Sequence, residues 1–224
     1  MDPRSDAKVI DSWHVNADAW TQAVREEQIE SRRLVTDAAI VDAVLALRPA
    51  TVLDLGCGEG WLVRALRARG VAGTGVDAVP ALVEQARQAG GGIFEVVTYE
   101  AIASGRWSTT ADVVVANFSL IGHEAVTRLL HRVPALLHSG GALVIQTLHP
   151  MVACGDLPYA DGWRDGSWAG FSSVFTDPAP WYFRTIGSWL ALLDACGLPF
   201  VRLREPLHPA TAKPASLILT ALAG

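Results

Sequence analysis

Glycines stand at positions 56, 58 and 60, directly after Asp54 and a short apolar run, in the stretch TVLDLGCGEGW from Thr51 to Trp61. Glycine reaches backbone angles closed to other residues and lets a ligand approach the main chain, so alternate glycines make a floor. The N–H groups opening the helix expected over Leu62, Val63 and Leu66 favour a carboxylate or phosphate. Asp54 is placed either to accept a hydrogen bond from a ligand's ammonium group or to brace the loop. A second acid, Asp77, stands 17 positions beyond Gly60 at the end of the run VAGTGVD. Sheets that bind nucleosides place a carboxylate at about this spacing to hold ribose hydroxyls. Dinucleotide sites use G-x-G-x-x-G, whose third glycine falls at 61, where this chain has Trp61. Asn117 closes the run ADVVVAN, and His149 closes ALVIQTLH before Pro150. Both are expected at strand tips, where ligands of open α/β sheets bind. An imidazole there takes a proton from a hydroxyl or an acidic carbon, unless it is simply structural.

DLGCGEG followed by GVDAVPALVEQA resembles the first two motifs of class I S-adenosylmethionine-dependent methyltransferases. The resemblance runs from about Trp13 to the C-terminus, strongest from Thr51 to Val79 and weakest from Met151 to Tyr182. It implies that Gly56 and Gly58 line the methionine part of the cofactor, with Asp54, Cys57 and Trp61 also among the cofactor-binding residues. Asp77 would take the ribose, and Ala78 and Val79 would flank the adenine. Arg33, ahead of the first strand, would meet the cofactor carboxylate, and Arg25 is a weaker choice. Tyr99 and Glu100, just past the third strand, would clamp the adenine. Asn117 and Phe118 would face the methyl group, and their sequence departs from the Asn-Pro-Pro-Tyr pattern of enzymes that act on nucleic acids or protein glutamine.

Hydrophobic spacing supplies the elements that must hold these groups. Trp13, Ala17, Trp20 and Val24 share one helical face. WHVNADAW also resembles the aromatic stretch that forms a lid over cofactor and substrate, so Trp20 is assigned to the cofactor and Trp13 to the substrate, against plain packing. A second helix is expected from Ser31 to Leu47, stopping before Pro49. Further helices are expected over Pro80 to Ala89, His123 to His138, where Ser139-Gly140-Gly141 ends it, and Ile186 to Cys196. Strands are expected near Ile93 to Thr98, Phe200 to Glu205 and Ser216 to Ala221. Nine of the 17 aromatic residues fall between Met151 and Trp189, interleaved with Gly, Pro and Asp. That composition predicts loops or short strands forming a cap, with Trp163, Trp168, Tyr182 and Arg184 as substrate contacts, or else a self-packed insertion. Arg164 is a further candidate for a substrate carboxylate.

The fold class expected is α/β, a doubly wound, seven-stranded, mostly parallel sheet with an N-terminal helical lid and an aromatic-rich insert. One domain spans 1–224: lid helices 11–47, cofactor core 51–149, cap 150–185, and C-terminal helix and hairpin 186–224. Half of the residues are hydrophobic and the formal charge is −5, with no basic stripe for a nucleic acid. Three scattered cysteines suit neither disulfides nor zinc and point to a reducing cytoplasm. A charged N-terminus and the lack of a long apolar run argue against a secretory signal or membrane span. The expected activity is methyl transfer from S-adenosylmethionine to oxygen, nitrogen or carbon of a small-molecule acceptor. His149 is the candidate base, no metal is needed, and the protein is a monomer or homodimer. A non-catalytic S-adenosylmethionine-binding protein and an NAD-dependent oxidoreductase are the alternatives.

Overall fold

The computed structural model describes residues 2–198 and 200–222. Helix α1 (Asp6–Arg25) starts at Ser5, whose hydroxyl accepts the Lys8 N–H. One π turn over Arg32–Thr36 then leads into α2 (Asp37–Leu45), so the helix expected from Ser31 opens with an irregular turn.

Strand and helix alternate next: β1 (Thr51–Leu55), α3 (Trp61–Arg67), β2 (Ala72–Asp77), α4 (Pro80–Ala89), β3 (Ile93–Val96), α5 (Tyr99–Ala103), β4 (Ala111–Asn117), α6 (Glu124–Arg132) and β5 (Leu137–Thr147). The helix expected to reach His138 stops at Arg132. Pro134 cannot donate the next helical hydrogen bond, and a 3-10 turn over Val133–Leu136 runs straight into β5. Ser139, Gly140 and Gly141 therefore do not end a helix. They lie within β5, where its pairing with β4 shifts register between Ala111 and Val113.

The short α7 (Pro150–Ala153) follows, then a two-stranded antiparallel ribbon of β6 (Gly162–Arg164) and β7 (Trp181–Phe183). Helix α8 (Ile186–Ala195) precedes β8 (Phe200–Arg204) and β9 (Leu217–Leu222). The main sheet has the order β3-β2-β1-β4-β5-β9-β8. Its first five strands are parallel, and β9 runs antiparallel between β5 and β8.

Runs of Val and Leu buried on both faces make the central strands, as a covered parallel sheet requires. On one side Ile40, Val44, Leu62 and Leu66 of α2 and α3 pack on Val52, Val113 and Val144. On the other, Leu129, Leu130 and Leu193 of α6 and α8 pack on Leu53, Leu143 and Leu219. Strand order reverses between β1 and β4, so the crevice beyond their carboxyl ends is the position where this architecture places ligands.

Candidate cofactor and acceptor site

The turn after β1 is built from left-handed glycines. Gly56, Gly58 and Gly60 have φ of 76°, 55° and 82°, a region costly for residues with a Cβ. Their surroundings differ. A Cβ on Gly56 would stand 2.4 Å from the Ser119 Cβ and 2.8 Å from the Tyr99 hydroxyl, and one on Gly60 would strike Phe94. A Cβ on Gly58 would meet only the Trp20 Nε1 at 3.6 Å. Gly58 is thus the point where the main chain looks into the site, and Gly56 faces protein. Cys57 turns away as well: its side chain is buried against Gly75 and Phe94, and its N–H donates to Val76.

Two carboxylates flank this turn. Asp77 accepts the Gly58 N–H on Oδ2 and the Val79 N–H on Oδ1, both at 2.9 Å, and each oxygen keeps a lone pair for another donor. Burial raises its pKa, and these N–H bonds work against that rise. Asp54 is 2% exposed, and its Oδ1 has no hydrogen-bond partner among the described residues. Burial, then the charge of Asp77, pushes the Asp54 pKa up to about 8. A third acid, Glu59, lies between the glycines and is fully buried. Arg64 donates to its carboxylate oxygens at 2.8 and 2.6 Å, and Arg25 adds a bond at 3.1 Å. Acid–glycine alternation followed by an arginine five residues on was the available signal for Glu59.

Helix α1 covers the turn. Ala17, Val79 and Leu82 are buried together beneath Trp13 and Trp20, whose rings meet edge to face at 5.1 Å. Trp168 meets Trp13 at 5.9 Å and continues to Phe175 at 4.7 Å. Asn16, 1% exposed, ties the insert to the helix, exchanging bonds with the Thr176 main chain at 2.7 and 3.0 Å. Asp6, at the opposite end of α1, accepts the His123 and Ala125 N–H groups that open α6. An amide on the Trp13–Ala17–Trp20 face was the sequence signal for Asn16. Asn16→Ala strands the Thr176 N–H and leaves the Thr176 carbonyl to the Trp168 indole alone, and is expected to cost about 1–3 kcal/mol, with hydrogen exchange accelerating over 172–178 before other segments. Uniform exchange over the chain would contradict this anchoring.

Several expected site residues are placed otherwise. Arg33 is exposed, whereas Arg32 lies 4.6 Å over the Trp61 ring and 5.8 Å from that of Trp20, its Nε on Asp37 at 3.0 Å. The π turn rotates the second arginine outward. Glu100 points to solvent and pairs with Arg106 at 3.5 Å. Tyr99 lies beneath the turn and braces it, its hydroxyl 3.3 Å from the Leu55 and Ser119 carbonyl oxygens. Ala78 is half-buried between Asp77 and the buried Val79. At the β4 tip, Asn117 accepts from the Gln146 side chain at 2.8 Å, and Phe118 takes the left-handed φ of 54°. Arg184 is buried and donates to the Gly122 and His123 carbonyls at 2.9 and 3.0 Å, and burial lowers its pKa. It holds the loop after β4. Arg164 likewise serves the Pro158 and Ala160 carbonyls. The Tyr182 ring stacks on His123 at 3.9 Å with the Trp163 edge at 5.6 Å, forming a ring wall beside this loop. His149 turns to Glu205, 2.7 Å from its Nε2.

Fold and site define a Rossmann-like α/β protein with a nucleoside-type crevice at a glycine turn. Residues 28–201 match the family described as Methyltransferase domain, and the chain belongs to that family. No curated protein sequence matches it. Among solved structures, it is similar to an S-adenosylmethionine dependent methyltransferase from Mesorhizobium loti, at 22% identity and a TM-score of 0.62, over 81% of this chain and 97% of that one. It is also similar to Burkholderia thailandensis 1,6-didemethyltoxoflavin-N1-methyltransferase, solved with 1,6-didemethyltoxoflavin and S-adenosylhomocysteine. That match has 20% identity, a TM-score of 0.62, and covers 93% and 87% of the two chains. Magnesium protoporphyrin IX methyltransferase from Synechocystis, solved with S-adenosylhomocysteine, gives 20% identity and 0.57 over 83% and 82%. The shared fold is that of S-adenosylmethionine-dependent methyltransferases. Among the described residues no helix is long and apolar enough to cross a membrane.

Proposed function

We propose that the protein transfers the methyl group of S-adenosylmethionine to a small molecule. The observation that carries this reading is the buried, unpartnered Asp54 Oδ1 in β1, where the chain enters the glycine turn that is open at Gly58. A lone carboxylate oxygen at a nucleoside crevice matches an amino-acid ammonium group, which dinucleotides lack. The residues present therefore fit the cofactor. Asp54 would bind its ammonium, Arg32 its carboxylate, and the free lone pairs of Asp77 the ribose hydroxyls. Ala78 and Val79 flank the adenine under α1.

When bound, S-adenosylmethionine supplies a methyl group on an already cationic sulfur. The chain's task is then alignment and exclusion of water, and alignment alone lowers such barriers by several kcal/mol. Trp13, Trp20 and Trp168 close the crevice from above, with aromatic faces suited to a neighbouring cation. Asn117 and Phe118 border the reacting centre, and Trp163, Tyr182 and His123 form an aromatic cluster beside the acceptor. The bound ligands of the Burkholderia relative support a small-molecule acceptor of this kind.

Thermal unfolding with S-adenosylmethionine, S-adenosylhomocysteine or NAD tests the reading. Both adenosyl ligands at 100 times their dissociation constants are expected to stabilise the chain by about 2.7 kcal/mol, and Asp77→Ala is expected to lose most of that shift. Stabilisation by NAD alone would favour an oxidoreductase. Binding without S-adenosylhomocysteine formation across acceptor panels would favour a non-catalytic binding protein.

A further inference from the structure

Alignment and water exclusion need no proton acceptor, yet the protein holds a buried imidazole with one ring nitrogen engaged and the other free. His149 lies at the tip of β5 and is 3% exposed. Its Nε2 is 2.7 Å from Glu205 Oε1. Its Nδ1, also buried, has no hydrogen-bond partner among the described residues. Glu205 directly follows β8, which runs antiparallel to β9, itself antiparallel to β5. The end of β8 therefore lies on the same edge of the sheet as the tips of β1 and β4. His149 stands three residues beyond Gln146, the partner of Asn117 in the β4–β5 register.

A neutral imidazole carries one N–H, and a carboxylate on Nε2 claims it, leaving a lone pair on Nδ1. Among the described residues Glu205 is the charged group in contact with His149. A buried acceptor atom without a donor is unfavourable, and the surrounding packing gives it no use.

We propose, resting on the methyltransferase reading, that Glu205 is a positioning residue holding His149 with Nε2–H towards itself, so that Nδ1 accepts the proton of an aryl hydroxyl as that hydroxyl is methylated. The aromatic cluster beside the loop after β4, where Tyr182 stacks on His123 and meets Trp163 edge to face, is the reason for the ring. In this step an oxygen lone pair forms the bond to the methyl carbon, and the C–S bonding pair stays on sulfur. The hydroxyl proton passes to Nδ1, and the Glu205 carboxylate balances the imidazolium that results. Glu205 resembles the carboxylates that fix the tautomer of working histidines elsewhere.

The test compares 7-hydroxycoumarin with 7-aminocoumarin, one ring with two acceptor atoms, on wild type, Glu205→Gln and Glu205→Asp. Nitrogen-15 NMR of labelled histidine reads the tautomer in the same preparations, with His149→Gln giving the assignment. Wild type is expected to show the Nε2–H form. Glu205→Gln is expected to lower the ratio of hydroxyl to amine turnover about tenfold or more, and Glu205→Asp to recover part of it. An Nδ1–H form in wild type, a ratio unmoved by Glu205→Gln, or transfer to the amine alone or to neither ring overturns the proposal. Stabilisation of wild type by S-adenosylhomocysteine, measured alongside, separates two failures. With that shift present, those results remove only the role of the pair; with it absent, the methyltransferase reading falls first.

Discussion

At pH 8 the Asp54→Asn variant is expected to melt higher than the parent chain and to lose the stabilisation that S-adenosylhomocysteine confers. The first half follows from burial. Asp54 has its folded pKa raised to about 8, above the value near 4 of an unfolded aspartate. Between those values the folded chain keeps a proton that the unfolded chain releases. Each pH unit across that window therefore removes about 1.4 kcal/mol of stability, and the loss levels off above pH 8. Asn carries no ionisation cost, although its own amide needs partners, so a net gain of about 2 kcal/mol is expected, or roughly 4–8 °C in a domain of this size. The second half follows from charge. An ammonium bound by a carboxylate gains about 1.5–3 kcal/mol, against about 1 kcal/mol from a neutral amide, so affinity is expected to fall roughly two- to thirtyfold. Melting curves of both proteins from pH 5 to 8 decide the matter. Parallel pH slopes would show that Asp54 is not the group being held neutral. Such a trade of stability for binding is common where a site keeps a buried, unpaired group.

The other large effect is expected at Arg64. Glu59 is fully buried, and Arg64 supplies three bonds to this residue, two to the carboxylate and one to its carbonyl oxygen. Leaving a buried charge with no partner costs about 3–5 kcal/mol; Arg25 still reaches Glu59 at 3.1 Å when Arg64 is removed, so a cost of about 3 kcal/mol is expected. Arg64→Met should therefore lower the melting temperature by roughly 6–12 °C. Arg25 on α1 also holds Glu59, so a mispositioned carboxylate loosens the lid at its far end. Pairing Arg64→Met with Glu59→Met removes both charges and is expected to recover part of the loss, since an apolar pair of similar volume is tolerated in such positions. A double-mutant cycle measures the coupling. A coupling near zero would mean that solvent reaches Glu59 despite its burial.

The seven-stranded sheet was legible in the chain because each central strand is an apolar run ending at a polar or glycine residue. Those boundaries are local and depend on period and turn chemistry alone. Asp54, Gly58 and Asp77 were legible for the same reason, since one βαβ unit carries them all. The choice between Arg32 and Arg33 was not, because one residue in an ideal helix turns a side chain by about 100° and the π turn changes that count. Pro134 marked the real end of α6, but Ser139-Gly140-Gly141 gave the stronger stop signal, and pairing with β4 drew that segment into β5.

Long-range partners were the part that no spacing could reveal. Asn16 finds Thr176, Asp6 finds the start of α6, and His149 finds Glu205 across separations of 160, 117 and 56 residues. Each bond depends on where strands order themselves in the sheet. The sequence by itself determined the class of fold, the glycine turn and the two acids that mark the crevice, because neighbours along the chain create them. Only the tertiary structure decided that Glu100 pairs with Arg106 at the surface, that Tyr99 and Arg184 bond to main-chain carbonyls, that Arg32 rather than Arg33 lies over Trp61, and which nitrogen of His149 is without a partner among the described residues. Those outcomes turn on side-chain direction and burial, which arise when distant elements compete for the same space.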